Sequence, residues 1–526
     1  MFLWLSLTPS LLPRGPLFQG LISGASGAVG YALGVFAVWL VRFMRSRDVS
    51  PRAPRPAWTV LGVAALLGTA VMMVRFRLWQ NDVRDLMGIP RLAWWEYPLA
   101  VVVSILALAI LVTLGKLVGR LVGVIVRRLE RVAPPRVSAV IATGLVIALG
   151  VAVLNGVVIR VAKNTLNDSF AAFNDMVDDA TAPPTSPRRS GGAGSLVSWE
   201  SLGRQGRAFV QAGPSAQTLA TFNGAPALEP IRVYAGLNSA DDITATAELA
   251  AAELERTGGL RRKLVAVATT TGTGWINEAE ADALEYILNG NSAIVSMQYS
   301  HLPSALSFLM DVGNARQAGR ALFEAVDRRV QAMPPAQRPA VVVFGESLGS
   351  FGGEAPFLSL NNLLARTDGA LFSGPTFANT MWDELTRSRD AGSPQWLPIT
   401  DRGRHARFVA RPEDLARPDT DWATPRLVYL QHPSDPITWW TPDLLFRQPD
   451  WLREPRGDDV SPQMQWIPVV TFLQVGADMA GSADVPDGHG HRFVRDVANA
   501  WAAILDPPGW TAAKTDRLRD VLATTN

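Results

Sequence analysis

The sequence predicts a two-part chain: an all-α bundle crossing a membrane about four times, then an α/β domain with a mainly parallel, doubly covered sheet. Three observations carry this reading. Four long stretches without a charged residue fall early in the chain. From about residue 195 onward, short apolar runs alternate with helix-like stretches, the pattern of strands joined by crossover helices. Between the halves lies a stretch rich in Pro, Gly and Ser. The boundaries are drawn at 1–165 for the membrane part, 181–198 for a linker and 199–526 for the α/β part.

The first part is justified span by span. Residues 17–41, 57–74, 97–114 and 137–159 hold no charged side chain. Each is about long enough to cross a hydrocarbon core, with shifted boundaries expected for the two shorter ones. Arg42, Arg45, Arg47, Arg52 and Arg55 lie between the first and second spans; Lys116, Arg120, Arg127, Arg128, Arg131 and Arg136 lie between the third and fourth. The loop between the second and third mixes Asp82, Asp85 and Glu96 with Arg75, Arg77, Arg84 and Arg91. Cytoplasmic loops carry the excess of Lys and Arg, so both termini and the α/β part are expected outside. Within 115–133, Val118, Leu121, Val122, Ile125 and Leu129 share one helical face, and Lys116, Arg120, Arg127 and Arg131 the other. That suits a helix continuing out of the third span or lying on the inner surface. Pro9, Pro13 and Pro16 interrupt an N-terminus that has no basic residue before its first apolar run, so it does not read as a cleavable signal peptide.

Residues 182–194 have the composition of a flexible linker. After it, strands are expected at 232–235, 263–268, 293–299, 340–344, 369–373, 426–431 and 468–474, with helices at 241–256, 279–288, 311–333 and 491–504. Two insertions stand out. Residues 375–424 fall where a lid is expected, and residues 436–467 hold Trp439, Trp440, Phe446, Trp451 and Trp466. Such aromatics suit a membrane headgroup region or an acyl-binding groove. Ordinary core packing accounts for them equally well.

The sharpest local signal is Gly345-Glu346-Ser347-Leu348-Gly349, set between the strand 340–344 and a stretch that can turn helical. G-x-S-x-G at such a junction is the nucleophile elbow of α/β-hydrolases, a strained turn that requires small residues two before and two after the serine. The pentapeptide alone is a weak signal. Residues further along the chain give it weight, because that fold places an acid and then a histidine at later strand ends. Asp435 follows the strand 426–431, and the loop 487–493 with His489 and His491 follows the expected strand 468–474. A serine hydroxyl needs an imidazole to take its proton, and a carboxylate fixes the imidazole tautomer. Ser347, Asp435 and His491 are therefore the candidates, with His489 as the alternative base. For an oxyanion hole, one backbone N–H is expected from Leu348 and a second from Thr270 or Thr271, in the Gly/Thr-rich loop 269–275.

Plainer readings stand beside these. Ser434-Asp435-Pro436 is good turn chemistry. His489 and His491 with Asp484 and Asp487 nearby also read as a metal-ligand pattern, but no further cluster completes it and the elbow serine would go unexplained. No metal and no cofactor is expected. His301, His405 and His432 are expected to be structural or surface residues. A net charge of +2, with no concentrated basic face in the second part, argues against nucleic acid as a partner. The chain has no cysteine, which excludes disulfides and a thiol nucleophile.

Further matching stretches are Ser6-Leu7-Thr8-Pro9-Ser10-Leu11-Leu12-Pro13-Arg14, the loop 269–275, Gln298-Tyr299-Ser300-His301-Leu302-Pro303-Ser304, Phe372-Ser373-Gly374-Pro375 and Ser434-Asp435-Pro436-Ile437. With the elbow, they make the chain resemble a family of bacterial, actinobacterial-type membrane-anchored α/β-hydrolases with an N-terminal multi-span region. The resemblance implies the fold and a serine-hydrolase active site, and says little about substrate. Three functions stay open: an esterase or lipase-like serine hydrolase on envelope lipids or acyl esters, an acyltransferase using the same acyl-enzyme, and a catalytically inactive membrane scaffold. The complete Ser/Asp/His set argues against the last. The expectation is a multi-pass cell-membrane protein with its catalytic domain outside the cytoplasm, partnered by the bilayer and a membrane-lipid or acyl-ester substrate.

Overall fold

A computed structural model of the chain describes residues 1–45, 54–91, 93, 96–153, 174, 182–303, 307 and 312–525. Arg47, Arg52, the expected end of the fourth span at 154–159, Ser304 and the expected helix start at 311 lie outside the described residues. The chain divides into two compact units, Met1–Ala162 with Trp440–Pro486, and Lys163–Trp439 with Asp487–Asn526. Most of the Trp-rich insertion is therefore part of the N-terminal unit rather than of the α/β part.

In the N-terminal unit, the helices Pro16–Arg45, Arg55–Leu86, Glu96–Leu129 and Pro135–Val153 fall on the four expected spans. All four are long and apolar enough to cross a membrane. The third has 34 residues, about 51 Å at the helical rise, so its basic, amphipathic end prolongs the span as a single helix. Gly20 and Gly24 let the first span meet the third. A Cβ at Gly20 would lie 2.5 Å from Val103 Cβ, and one at Gly24 2.5 Å from Ala107 Cβ. Small residues four apart are the usual means of close helix approach in lipid.

Residues expected to form the last strand form the helix Val470–Asp478 instead. Val469, Val470, Thr471 and Phe472 have high strand propensity, but propensity yields to tertiary contacts. Thr471, Gln474, Val475 and Asp478 are all buried, and their spacing is that of one helical face. From that face, Gln474 Nε2 donates to the carbonyls of Ser6 (3.1 Å) and Thr8 (2.9 Å). Asp478 accepts from the Ser10 hydroxyl and from the N–H groups of Leu11 (3.1 Å) and Leu12 (3.3 Å), and pairs with the Arg14 guanidinium at 3.8 Å. The proline-broken N-terminus is thus clasped by the insertion. Trp451 is core, Trp440 and Trp466 are half-buried with bonded indole N–H groups, and Phe446 is 82% exposed.

The other unit holds a seven-stranded sheet, entirely parallel, in the order β1-β3-β2-β4-β5-β7-β6. The strands are β1 Ile231–Ala235, β2 Leu264–Thr269, β3 Ser292–Met297, β4 Ala340–Glu346, β5 Gly369–Ser373, β6 Ala406–Val409 and β7 Arg426–Leu430. Nearly every strand residue is buried, as a sheet with both faces covered requires. The helices Ile243–Arg256 and Val312–Gln331 pack together, as do Glu278–Ile287 and Asp496–Leu505.

Two features of this unit were not expected. Within the insertion 375–424, residues Ala406–Val409 form the edge strand β6. Its four residues include Arg407, whose charge masked the pattern; the buried guanidinium bonds the carbonyls of Leu415 and Thr420 and lies over the Trp422 ring. The expected linker is packed. Arg189 bridges to Arg232 of β1, Ser190 Oγ accepts from Tyr234 N–H at 3.0 Å, and Ser195 Oγ donates to Glu253 at 2.6 Å.

Candidate active site

Four strand ends meet at the carboxyl edge of the sheet, where ligands of open parallel sheets bind. β4 ends at Glu346, and Ser347 follows at φ 57°, ψ −120° before the helix Leu348–Glu354 begins. That left-handed backbone is costly for a serine and is the strain the motif foretold. The flanking glycines are obligatory. A Cβ on Gly345 would lie 2.5 Å from the Gly349 carbonyl carbon, and one on Gly349 2.3 Å from the Thr269 oxygen.

β7 leads into the acid. Asp435 is fully buried: Oδ1 accepts the Ile437 N–H at 2.9 Å, and Oδ2 lies 2.6 Å from His491 Nδ1. It is His491, not His489, that meets Asp435. His491 is wedged against Gly374, where a Cβ would sit 2.3 Å from its Cε1, and Phe493 packs edge-on to it at 5.6 Å. Its Nε2 has no hydrogen-bond partner among the described residues. Asp487, a possible ligand beside the histidines by sequence, accepts the N–H groups of Val494 and Arg495 instead.

The expected oxyanion donors differ in availability. Leu348 is the first residue of its helix, so no turn of that helix uses its N–H. Thr271 N–H is spent on the Trp275 carbonyl at 2.9 Å. Thr270 bonds Met297 O through its hydroxyl, and its N–H has no acceptor among the described residues. The contact between Gly349 and the Thr269 carbonyl brings this loop against the elbow.

One acidic group at the site was not foreseen, although it stands inside the pentapeptide. Glu346 Oε1 lies 3.8 Å from His491 Nε2, and its other oxygen accepts from Asn277 Nδ2, which also donates to the Phe493 carbonyl. Burial pushes Glu346 up to about 7, against the pull of His491 and the Asn277 hydrogen bond. Behind it, Glu280 shares a hydrogen bond with Ser373 and is held well above the usual carboxylate range by burial and by Glu346. Burial alone would lower the His491 pKa, but Asp435, its hydrogen bond and Glu346 together hold it above the ordinary histidine range.

A buried carboxylate on Nδ1, a bare Nε2, and a serine in a strained strand-to-helix turn make up the equipment for moving a hydroxyl proton to an imidazole. A parallel α/β sheet carrying that constellation at its carboxyl edge is the architecture of a hydrolase. The chain belongs to the α/β-hydrolase family: residues 231–518 match the alpha/beta-hydrolase family, and residues 7–214 match the alpha/beta-hydrolase family N-terminus. No curated protein and no solved structure matches it.

Proposed function

We propose that the protein is a membrane-anchored serine hydrolase acting on ester bonds, with Ser347 as nucleophile, His491 as general base and Asp435 as the carboxylate that orients it. The 2.6 Å contact between Asp435 and His491, with a serine at φ 57° directly after Glu346, whose Oε1 is 3.8 Å from His491 Nε2, carries this reading. Nδ1 donates to Asp435, which leaves Nε2 to take the Ser347 proton as Oγ attacks the ester carbonyl. The tetrahedral oxyanion is held by the N–H groups of Leu348 and Thr270. Collapse expels the alcohol, protonated by His491, and water then releases the acid by the same steps in reverse.

The substrate proposed is a lipid or acyl ester of the cell envelope, met outside the cytoplasm. Support comes from the N-terminal unit. Its insertion packs on residues 6–14 and, through Gln463, on Trp79 near the end of the second span. Arg14 N–H bonds Gln80 at 2.8 Å, and Leu7 packs on Phe76, so the start of the first span and the end of the second share one face. The two basic loops join the opposite ends of the spans, and basic loops stay in the cytoplasm. A fluorophosphonate probe tests the chemistry: the full chain in detergent is labelled, and Ser347→Ala is not. Equal labelling of both would remove the serine-hydrolase assignment.

A further inference from the structure

We propose that His432, a fully buried residue with no part in the proton transfer itself, is a positioning residue for the His491 base. This rests on the serine-hydrolase reading and names how that site holds its geometry. His432 lies just beyond β7, three residues before Asp435, and is 1% exposed. Its Nδ1 is 2.9 Å from the Gly490 carbonyl. A carbonyl only accepts, so Nδ1 carries the proton. The other nitrogen, Nε2, has no hydrogen-bond partner among the described residues.

From the same loop, Ser434 Oγ accepts the Gly490 N–H at 2.8 Å. Both polar groups of the residue before His491 are thus gripped by side chains of the acid loop. The His432 ring also stacks on Phe493, 4.4 Å between centroids at 12°, and Phe493 stands edge-on to His491.

Gly490 needs this grip. It sits at φ 53°, where glycine alone moves freely, and its peptide sets the direction in which the His491 side chain leaves the backbone. Two hydrogen bonds on one hinge residue convert a flexible loop into a fixed mount. Because residues 432–435 supply both the mount and the carboxylate, acid and base move as one body. Misplacement of a catalytic group by about 1 Å can cost roughly 100-fold in rate.

The test compares two substitutions that remove the ring equally. His432→Asn puts an amide nitrogen where Nδ1 stands and keeps the donor to Gly490. His432→Gln reaches toward the Nε2 position and does not. In full-length protein, the readout is the fluorophosphonate labelling rate per labelled site, which a loss of folded protein leaves unchanged. H432Q should react at least tenfold more slowly than wild type, and H432N within about threefold of it. Equal rates for H432N and H432Q, or H432Q reacting at the wild-type rate, overturns the proposal. Ser347→Ala, run alongside, reports separately on the serine-hydrolase reading.

Discussion

Replacing Glu346 with glutamine removes a charge beside the reacting nitrogen while leaving an oxygen to accept the Asn277 hydrogen bond. Two unit charges 3.8 Å apart interact by about 4 kcal/mol at an effective dielectric of ~20. Glu346, pushed up to about 7 by burial, is only partly ionised near neutrality, so part of that attraction acts on His491 there. The sign is set by the role of the base. His491 works only when neutral, and Glu346 raises its pKa by favouring the imidazolium. Activity therefore falls as pH drops through a raised value. In Glu346→Gln the acid limb of kcat/KM against pH should move to lower pH, measured with a soluble chromogenic ester. On the alkaline plateau, where the base is neutral in both proteins, the rates should approach each other unless Glu346 also steadies the transition-state imidazolium, in which case kcat drops as well. An acid limb that stays in place, or moves up, refutes the argument that this carboxylate acts on His491.

Three further outcomes are expected. Asp478→Asn leaves the buried Arg14 without its counter-charge and should cost about 3–5 kcal/mol of stability, read as faster tryptic cleavage at Arg453 in the insertion; unchanged cleavage would mean the clasp is not holding it. Since the chain has no cysteine, Leu358→Cys, at an 89% exposed position, should react with an impermeant maleimide in intact spheroplasts, and Arg131→Cys only after permeabilisation; the reverse pattern inverts the topology. Along a series of acyl esters, each buried methylene contributes up to about 0.8 kcal/mol, so kcat/KM should climb as much as roughly fourfold per carbon; a flat or falling series from acetyl to decanoyl removes the lipid reading.

Much of the protein was legible from local pattern. The four long apolar helices are readable because an uncharged stretch of that length points to a helix able to cross a bilayer. The six strands from β1 to β5 and β7 are readable because a doubly covered parallel sheet demands continuous apolar runs. Ser347 betrays itself through Gly345 and Gly349, since the strained turn tolerates no Cβ at either place. Once the elbow is granted, chain order points to Asp435 and to the loop that carries His489 and His491. What local pattern hid was set by partners distant in sequence. Residues 470–478 are helical because Gln474 and Asp478 reach a loop more than 460 residues away, and no window on the sequence contains both. Arg407 conceals an edge strand because its charge is satisfied by carbonyls and a ring outside that strand. The choice of His491 over His489, the proximity of Glu346 to the base and the hold of His432 on Gly490 are likewise decisions of the tertiary structure. Residue type supplies a capacity for chemistry, but which groups meet within 3 Å depends on how loops from separate strands converge at one sheet edge.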